Sequence, residues 1–85
     1  MGTQLLVPCS SLCGETVVDG SDAPVGRLDH MVIEPASGRI AYAVVARGGV
    51  FGIGETLCEV PWHALKRDET RGVWILGDGV ESYEL

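Results

Sequence analysis

The sequence predicts an all-β fold: a small, mostly antiparallel barrel of six short strands, with at most one or two short helical turns. Two observations carry this. Runs rich in Val, Ile, Tyr and Thr recur along the chain, and turn-forming clusters separate them about every ten residues. The central stretch, residues 37–65, shows neither the 3.6-residue apolar period nor the start and stop signals of a helix. Strands this short would leave exposed edges in an open sheet, so closure into a barrel is the expected arrangement.

The elements follow in order. Residues 1–8 (MGTQLLVP) form an apolar stretch ending in Pro8, the main part of a leader over residues 1–11. Residues 9–14 (CSSLCG) read as a turn in which the Ser10 and Ser11 hydroxyls can bond the local backbone. Residues 15–19 (ETVVD) make a short strand, and residues 19–24 (DGSDAP) a turn cluster. Residues 25–34 (VGRLDHMVIE) make a second strand, alternating at first and apolar towards its end. Residues 35–38 (PASG) turn the chain, with Gly38 suited to positive φ.

The central unit is residues 37–65. A strand over 39–46 is followed by a glycine-dense loop at 48–54, then by a strand over 56–60 that Pro61 stops. Residues 62–66 (WHALK) are a single helical turn or short bridge, and residues 67–72 (RDETRG) another turn. Residues 73–76 (VWIL) are the last strand. The barrel is therefore expected over residues 12–77, with an acidic, glycine-broken tail over 78–85.

Composition restricts function. At 85 residues the chain is one domain. A domain of this size buries only about 60–65% of its unfolded surface. Its apolar fraction of 46% is therefore high, and the excess belongs in a closed core or in a subunit interface. The net charge is −6, and the cations Arg27, Arg39, Arg47, Lys66, Arg67 and Arg71 are scattered, with only Lys66 and Arg67 adjacent. That pattern argues against nucleic acid, which needs clustered cations, and against an anionic membrane surface. No apolar run approaches the ~20 residues of a membrane span. Three cysteines, an odd number, and an N-terminal stretch without a basic region predict free thiols and a cytoplasmic location. Met1-Gly2 is not a myristoylation signal, since Leu6 stands at the expected Ser/Thr position.

Each chemical reading has a structural competitor. The loop at 48–54 lacks a Gly-Lys-Ser/Thr sequel, and Gly52-x-Gly54 lacks a third glycine, so it reads as a hairpin loop rather than a phosphate cradle. Its tip carries Val50, Phe51 and Ile53, three large apolar side chains that meet a partner or fold back on the barrel. With Leu5, Leu6 and Val7 of the leader they form the expected partner or self-interface, and symmetric pairing into a homodimer is the usual way to cover such surface.

Cys9-x₃-Cys13 with Cys58-x₄-His63 could supply metal ligands, but the spacing is looser than paired C-x₂-C ribbons, and free cysteines are more often buried or idle. Cys58 and His63 flank Pro61, and Asp29 adjoins His30, yet no G-x-S-x-G motif joins them. Neighbouring strand positions point to opposite faces, so Asp29 is not expected to orient His30. Residues 19–22 (DGSD) are too short for a calcium loop, and the carboxylates read as a solvated acidic surface. Trp62 and Trp74 read as core or rim packing.

Several separate motifs keep their mutual spacing: Val25-Gly26-Arg27-Leu28; the run from Val32-Ile33-Glu34-Pro35 through Ser37-Gly38-Arg39 to Val44-Val45; Gly52-Ile53-Gly54-Glu55; and Val60-Pro61-Trp62-His63-Ala64-Leu65. Together, over residues 12–76, they resemble the PRC-barrel domain. That family includes the cytoplasmic domain of the photosynthetic reaction-centre H subunit, the C-terminal domain of a ribosome maturation factor, and many small stand-alone bacterial and archaeal proteins. The resemblance implies a PRC-like β-barrel and no reaction: an interaction and assembly module without a cofactor of its own. Two departures stand out. Family members mostly carry a carboxylate where this chain has His30 and His63, and the stretch after Leu76 is short. The expected function is thus non-enzymatic protein–protein contact with self-association, the partner protein being unknown. The alternative is a metal- or thiol-dependent sensor using Cys9, Cys13, Cys58, His30 and His63. A small hydrolase ranks last.

Overall fold

The computed structural model describes residues 6–48, 54–80 and 83–85. Seven strands are found there: β1 (Thr16–Val18), β2 (Pro24–Glu34), β3 (Arg39–Arg47), β4 (Thr56–Pro61), β5 (Leu65–Asp68), β6 (Val73–Leu76) and β7 (Tyr83–Glu84). They form one sheet in the order β5-β6-β1-β2-β3-β4-β7. Every neighbouring pair is antiparallel except β1 and β6, which run parallel with Val17 opposite Trp74. The only helical segments among the described residues are two 3-10 turns, at Cys9–Ser11 and Trp62–Ala64. The second lies where the residues after Pro61 predict it.

The all-β prediction holds, and its strand count is corrected from six to seven. β5 occupies residues read as bridge and turn. Leu65 faces the core opposite Leu76, and Arg67 lies opposite Trp74, while Lys66 faces the other way. Four residues with two cations and a carboxylate give a period-2 signal too short to recognise. β7 lies in the acidic tail and pairs with Cys58 and Glu59 of β4. The parallel β1–β6 pair is likewise invisible locally, because its two strands are far apart in sequence.

One sheet makes one core. Val17, Leu28, Val45, Val60, Leu65 and Leu76 come from six different strands and belong to a single buried cluster. No second sheet or long helix covers that cluster among the described residues. A single sheet can bring these side chains together only by curling one face onto itself, the geometry of a small barrel. No ladder joins the edge strands β5 and β7 among the described residues. Trp62 packs beside Trp74, ring centroids 5.4 Å apart and planes tilted by 50°, a favourable aromatic geometry.

β3 is the central strand of the long antiparallel part. Its residues Ala43, Val44, Val45 and Ala46 are all buried. Ala43 and Val45 face the core, while Val44 and Ala46 face outward. The outward pair lies beside long side chains in register: His30 and Glu59 flank Val44, and Arg27 and Leu57 flank Ala46. β2 crosses β3 closely at Gly26, where any Cβ would overlap the Ala46 carbonyl oxygen. Two register shifts interrupt β2, one between Leu28 and His30 and one between Val32 and Ile33.

Candidate interaction surfaces

The first shift in β2 builds a polar cluster on the outer face. Asp29 is the extra residue of this bulge, so strict alternation fails there. Its carboxylate accepts from Arg27 Nη1 at 3.0 Å and lies 2.7 Å from His30 Nδ1. The expectation that Asp29 and His30 point apart is therefore wrong. Arg27 also grips Glu55 through Nε (3.2 Å) and Nη2 (2.9 Å). The His30 hydrogen bond, helped by Arg27 and opposed by partial burial, holds the Asp29 carboxyl below its usual range. An Asp–His pair is not a catalytic triad, which needs a nucleophile on the imidazole. Among the described residues no hydroxyl or thiol is hydrogen-bonded to His30.

Two other arginines are equally engaged. Arg67 binds Glu15 through two hydrogen bonds and Glu69 through a third. Arg71 bridges Asp68 (2.9 Å) and Asp22 (2.7 Å). The Arg71 hydrogen bond pulls the Asp68 carboxyl down as well. These contacts lock turns to strands, and with Arg27 they engage three of the chain's six Lys and Arg residues.

The candidate metal and thiol residues are dispersed. Cys58 is buried in β4, while Cys9 and Cys13 are exposed in the first turn, where Cys13 Sγ lies 3.5 Å from the Cys9 carbonyl oxygen. His30 sits on the outer face of β2, and His63 in the second 3-10 turn. Among the described residues no group of three or more His, Cys, Asp or Glu side chains is placed to hold a metal ion. The sensor alternative therefore has no assembled ligand set there.

Two surfaces remain. At the β4–β7 edge, the Leu85 amide donates to the Leu57 carbonyl at 2.9 Å, and Tyr83 stands opposite Glu59. This register puts Leu57, Tyr83 and Leu85 on one face, and all three are exposed. Leu6, 86% exposed, and Val7 add apolar surface just before the first turn. Leu5, Val50, Phe51 and Ile53, the rest of the expected interface, lie outside the described residues.

At the other end of the sheet a groove of about 390 Å³ opens between the second 3-10 turn, β5, β6 and the start of the tail. It is lined by His63, Ala64, Lys66, Ile75, Gly77 and Val80. The Gly77 amide donates to the Ala64 carbonyl at 2.9 Å and fixes its floor. The sequence points to Leu6 and Val7, but neither to the β4–β7 strip nor to the groove. The alternation of the tail, with Tyr83 and Leu85 on one side, was the available signal for β7. The groove had none, since its residues come from separate elements.

The PRC-barrel domain model matches residues 6–80, nearly the whole chain. The chain belongs to the PRC-barrel family. No curated protein matches it. For this PRC-barrel chain, family membership points in general to an interaction or assembly module. No helix among the described residues is long and apolar enough to cross a membrane.

Proposed function

We propose that this PRC-barrel chain is a non-enzymatic, cytoplasmic module that acts through protein–protein contact and pairs with itself as a homodimer. The observation that carries the reading is the apolar strip Leu57, Tyr83 and Leu85 on the face of an edge strand, with Leu6 and Val7 exposed as well. Scattered exposed apolar residues are ordinary, but a strip shared by two paired strands is the kind of surface that partners cover. The proposed interface joins that strip to the leader residues Leu5, Leu6 and Val7 and the loop tip Val50, Phe51 and Ile53. A two-fold arrangement closes such a surface on itself.

Light scattering on the full chain tests the pairing. A mass about twice the 9.0 kDa chain is expected, with Leu85→Asp and Phe51→Asp each shifting the population to monomer. A monomer at every practical concentration would remove the homodimer. A panel of ester and peptide substrates tests the non-enzymatic reading; turnover abolished by His30→Gln would overturn it.

A further inference from the structure

We propose that the groove beside β5 docks an extended, acidic–apolar segment of a partner protein. One apolar side chain enters between Ala64, Ile75 and Val80, carboxylates two residues to either side of it, on the same face, reach Lys66, and the segment's backbone lies along the edge of β5. This rests on the interaction-module reading, but not on self-association.

Three observations converge. The first is shape and chemistry. The groove holds about 390 Å³, its floor is Ala64, Ile75 and Val80, and Lys66 and His63 stand beside it. Apolar concavities with a few convergent polar groups are the usual form of a binding site. Lys66 and Ile75 are paired across β5 and β6 on the face opposite the core, so the strand register itself puts the cation next to the apolar floor.

The second is charge. The chain carries twelve carboxylates against six Lys and Arg. Arg27, Arg67 and Arg71 are each bound to carboxylates of the chain itself. Among the described residues Lys66 makes no ion pair and no carboxylate lines the groove. An acidic partner segment is repelled by most of this protein, but here meets an apolar cleft flanked by an ammonium and an imidazole. Such an arrangement selects by what it repels elsewhere as much as by what it attracts.

The third is the edge. β5 ends the strand order, with no strand on its outer side among the described residues. Edge strands present backbone donors and acceptors in a row, and an added strand satisfies them while alternate side chains enter adjoining pockets. Acidic and apolar residues at every second position (i, i+2) share one face of such a strand, so both chemistries reach the face that carries Lys66 and Ile75.

The test is a titration of the full chain with the blocked hexapeptide Glu-Thr-Val-Thr-Glu-Thr, whose Glu and Val side chains share one face of a strand, followed by backbone amide chemical shifts. Shifts centred on Lys66, Ile75, Gly77 and Val80 are expected. Replacing the peptide's Glu by Gln, or making Lys66→Glu in the protein, is expected to weaken binding about two- to fivefold, the scale of an exposed ion pair. Lys66 is exposed, so this variant leaves the core untouched. The proposal is overturned if no shifts occur, if they centre on Leu57 and Leu85, or if the Gln peptide binds equally well. It is also overturned if free octanoate binds as tightly as the peptide, which would make the groove a small-carboxylate site. Light scattering on the same samples keeps the two readings separate. Peptide binding by a monomer removes the homodimer and leaves the groove, and a dimer indifferent to the peptide does the reverse.

Discussion

Arg67 clasps Glu15 through two parallel hydrogen bonds, Nε to Oε1 at 3.0 Å and Nη2 to Oε2 at 2.7 Å, and Oε1 also accepts the Trp74 indole N–H at 2.9 Å. One carboxylate thus ties the residue before β1 to β5 and β6. Both partners are mostly shielded, with side-chain exposures of 21% and 20%, so the pair is worth more than a typical surface bridge. Glu15→Ala strands both donors and is expected to destabilise the fold by about 1–3 kcal/mol in urea unfolding. Glu15→Gln should lose less, since it keeps an acceptor.

The same carboxylate makes stability depend on acid. The Arg67 hydrogen bond lowers the Glu15 pKa, against partial burial and with help from Trp74. A carboxyl with a folded pKa below its unfolded one binds fewer protons when folded. Its contribution is therefore complete above the unfolded value, 4.5 for Glu15, and is lost as pH falls through the lower folded value. Thermal unfolding of wild type and Glu15→Gln should differ at neutral pH and converge in acid. A gap that stays constant would remove the linkage.

At Asp29 the leading cause of the lowered pKa is the hydrogen bond to His30, ahead of that to Arg27. Replacing His30 by Ala should move the Asp29 titration upward, towards its usual value, in a carboxyl-resolved NMR titration. Arg27→Ala should move it in the same direction by less. If Arg27→Ala has the greater effect, the bulge at Asp29 positions this carboxylate mainly for Arg27.

Gly26→Ala is expected to be among the most damaging single-atom additions in the chain. The new Cβ meets the Ala46 carbonyl oxygen, a backbone atom in the buried part of the central strand that cannot step aside. About 3 kcal/mol or more should be lost, because relief requires moving β2 from β3. Gly48→Ala has open space around its Cβ and a φ of +68°, so only the backbone preference opposes it, about 1–2 kcal/mol. Urea unfolding of the two variants should rank them in that order.

The thiols should react in two phases. Cys9 and Cys13 are exposed and Cys58 is buried, so a thiol reagent should label two sites quickly and the third only as the barrel opens. Fast labelling of Cys58, read by peptide mapping, would mean that the β4–β7 edge opens readily.

What was legible in the sequence was whatever is local. β2, β3, β4 and β6 are long or apolar enough to announce themselves, and Pro61 marks the end of β4 and the turn that follows. Cys58 reads as buried because it lies in a strand with the apolar Leu57 and Val60 nearby. β5 and β7 stayed hidden: one is four residues with three charges, the other two residues in an acidic tail, and each becomes a strand only because a neighbour supplies a ladder. Asp29 shows the opposite failure. Alternation was applied where a bulge had suspended it, so a contact between adjacent residues was excluded although the structure makes it. The groove belonged to neither case, because Lys66, Ile75 and Val80 become neighbours only after β5 and β6 pair.

The parallel pairing of β1 with β6 has a kinetic consequence. Hairpins such as β2–β3 can zip from their own turns, since each new contact is near the last in sequence. Val17 and Trp74 have no such route: the chain between them must be gathered first, at an entropic cost that precedes any reward. Refolding should therefore proceed with the β2–β3–β4 meander forming early and the β1–β6 seam joining late. Variants at the seam, such as Val17→Ala, should then speed unfolding far more than they slow folding.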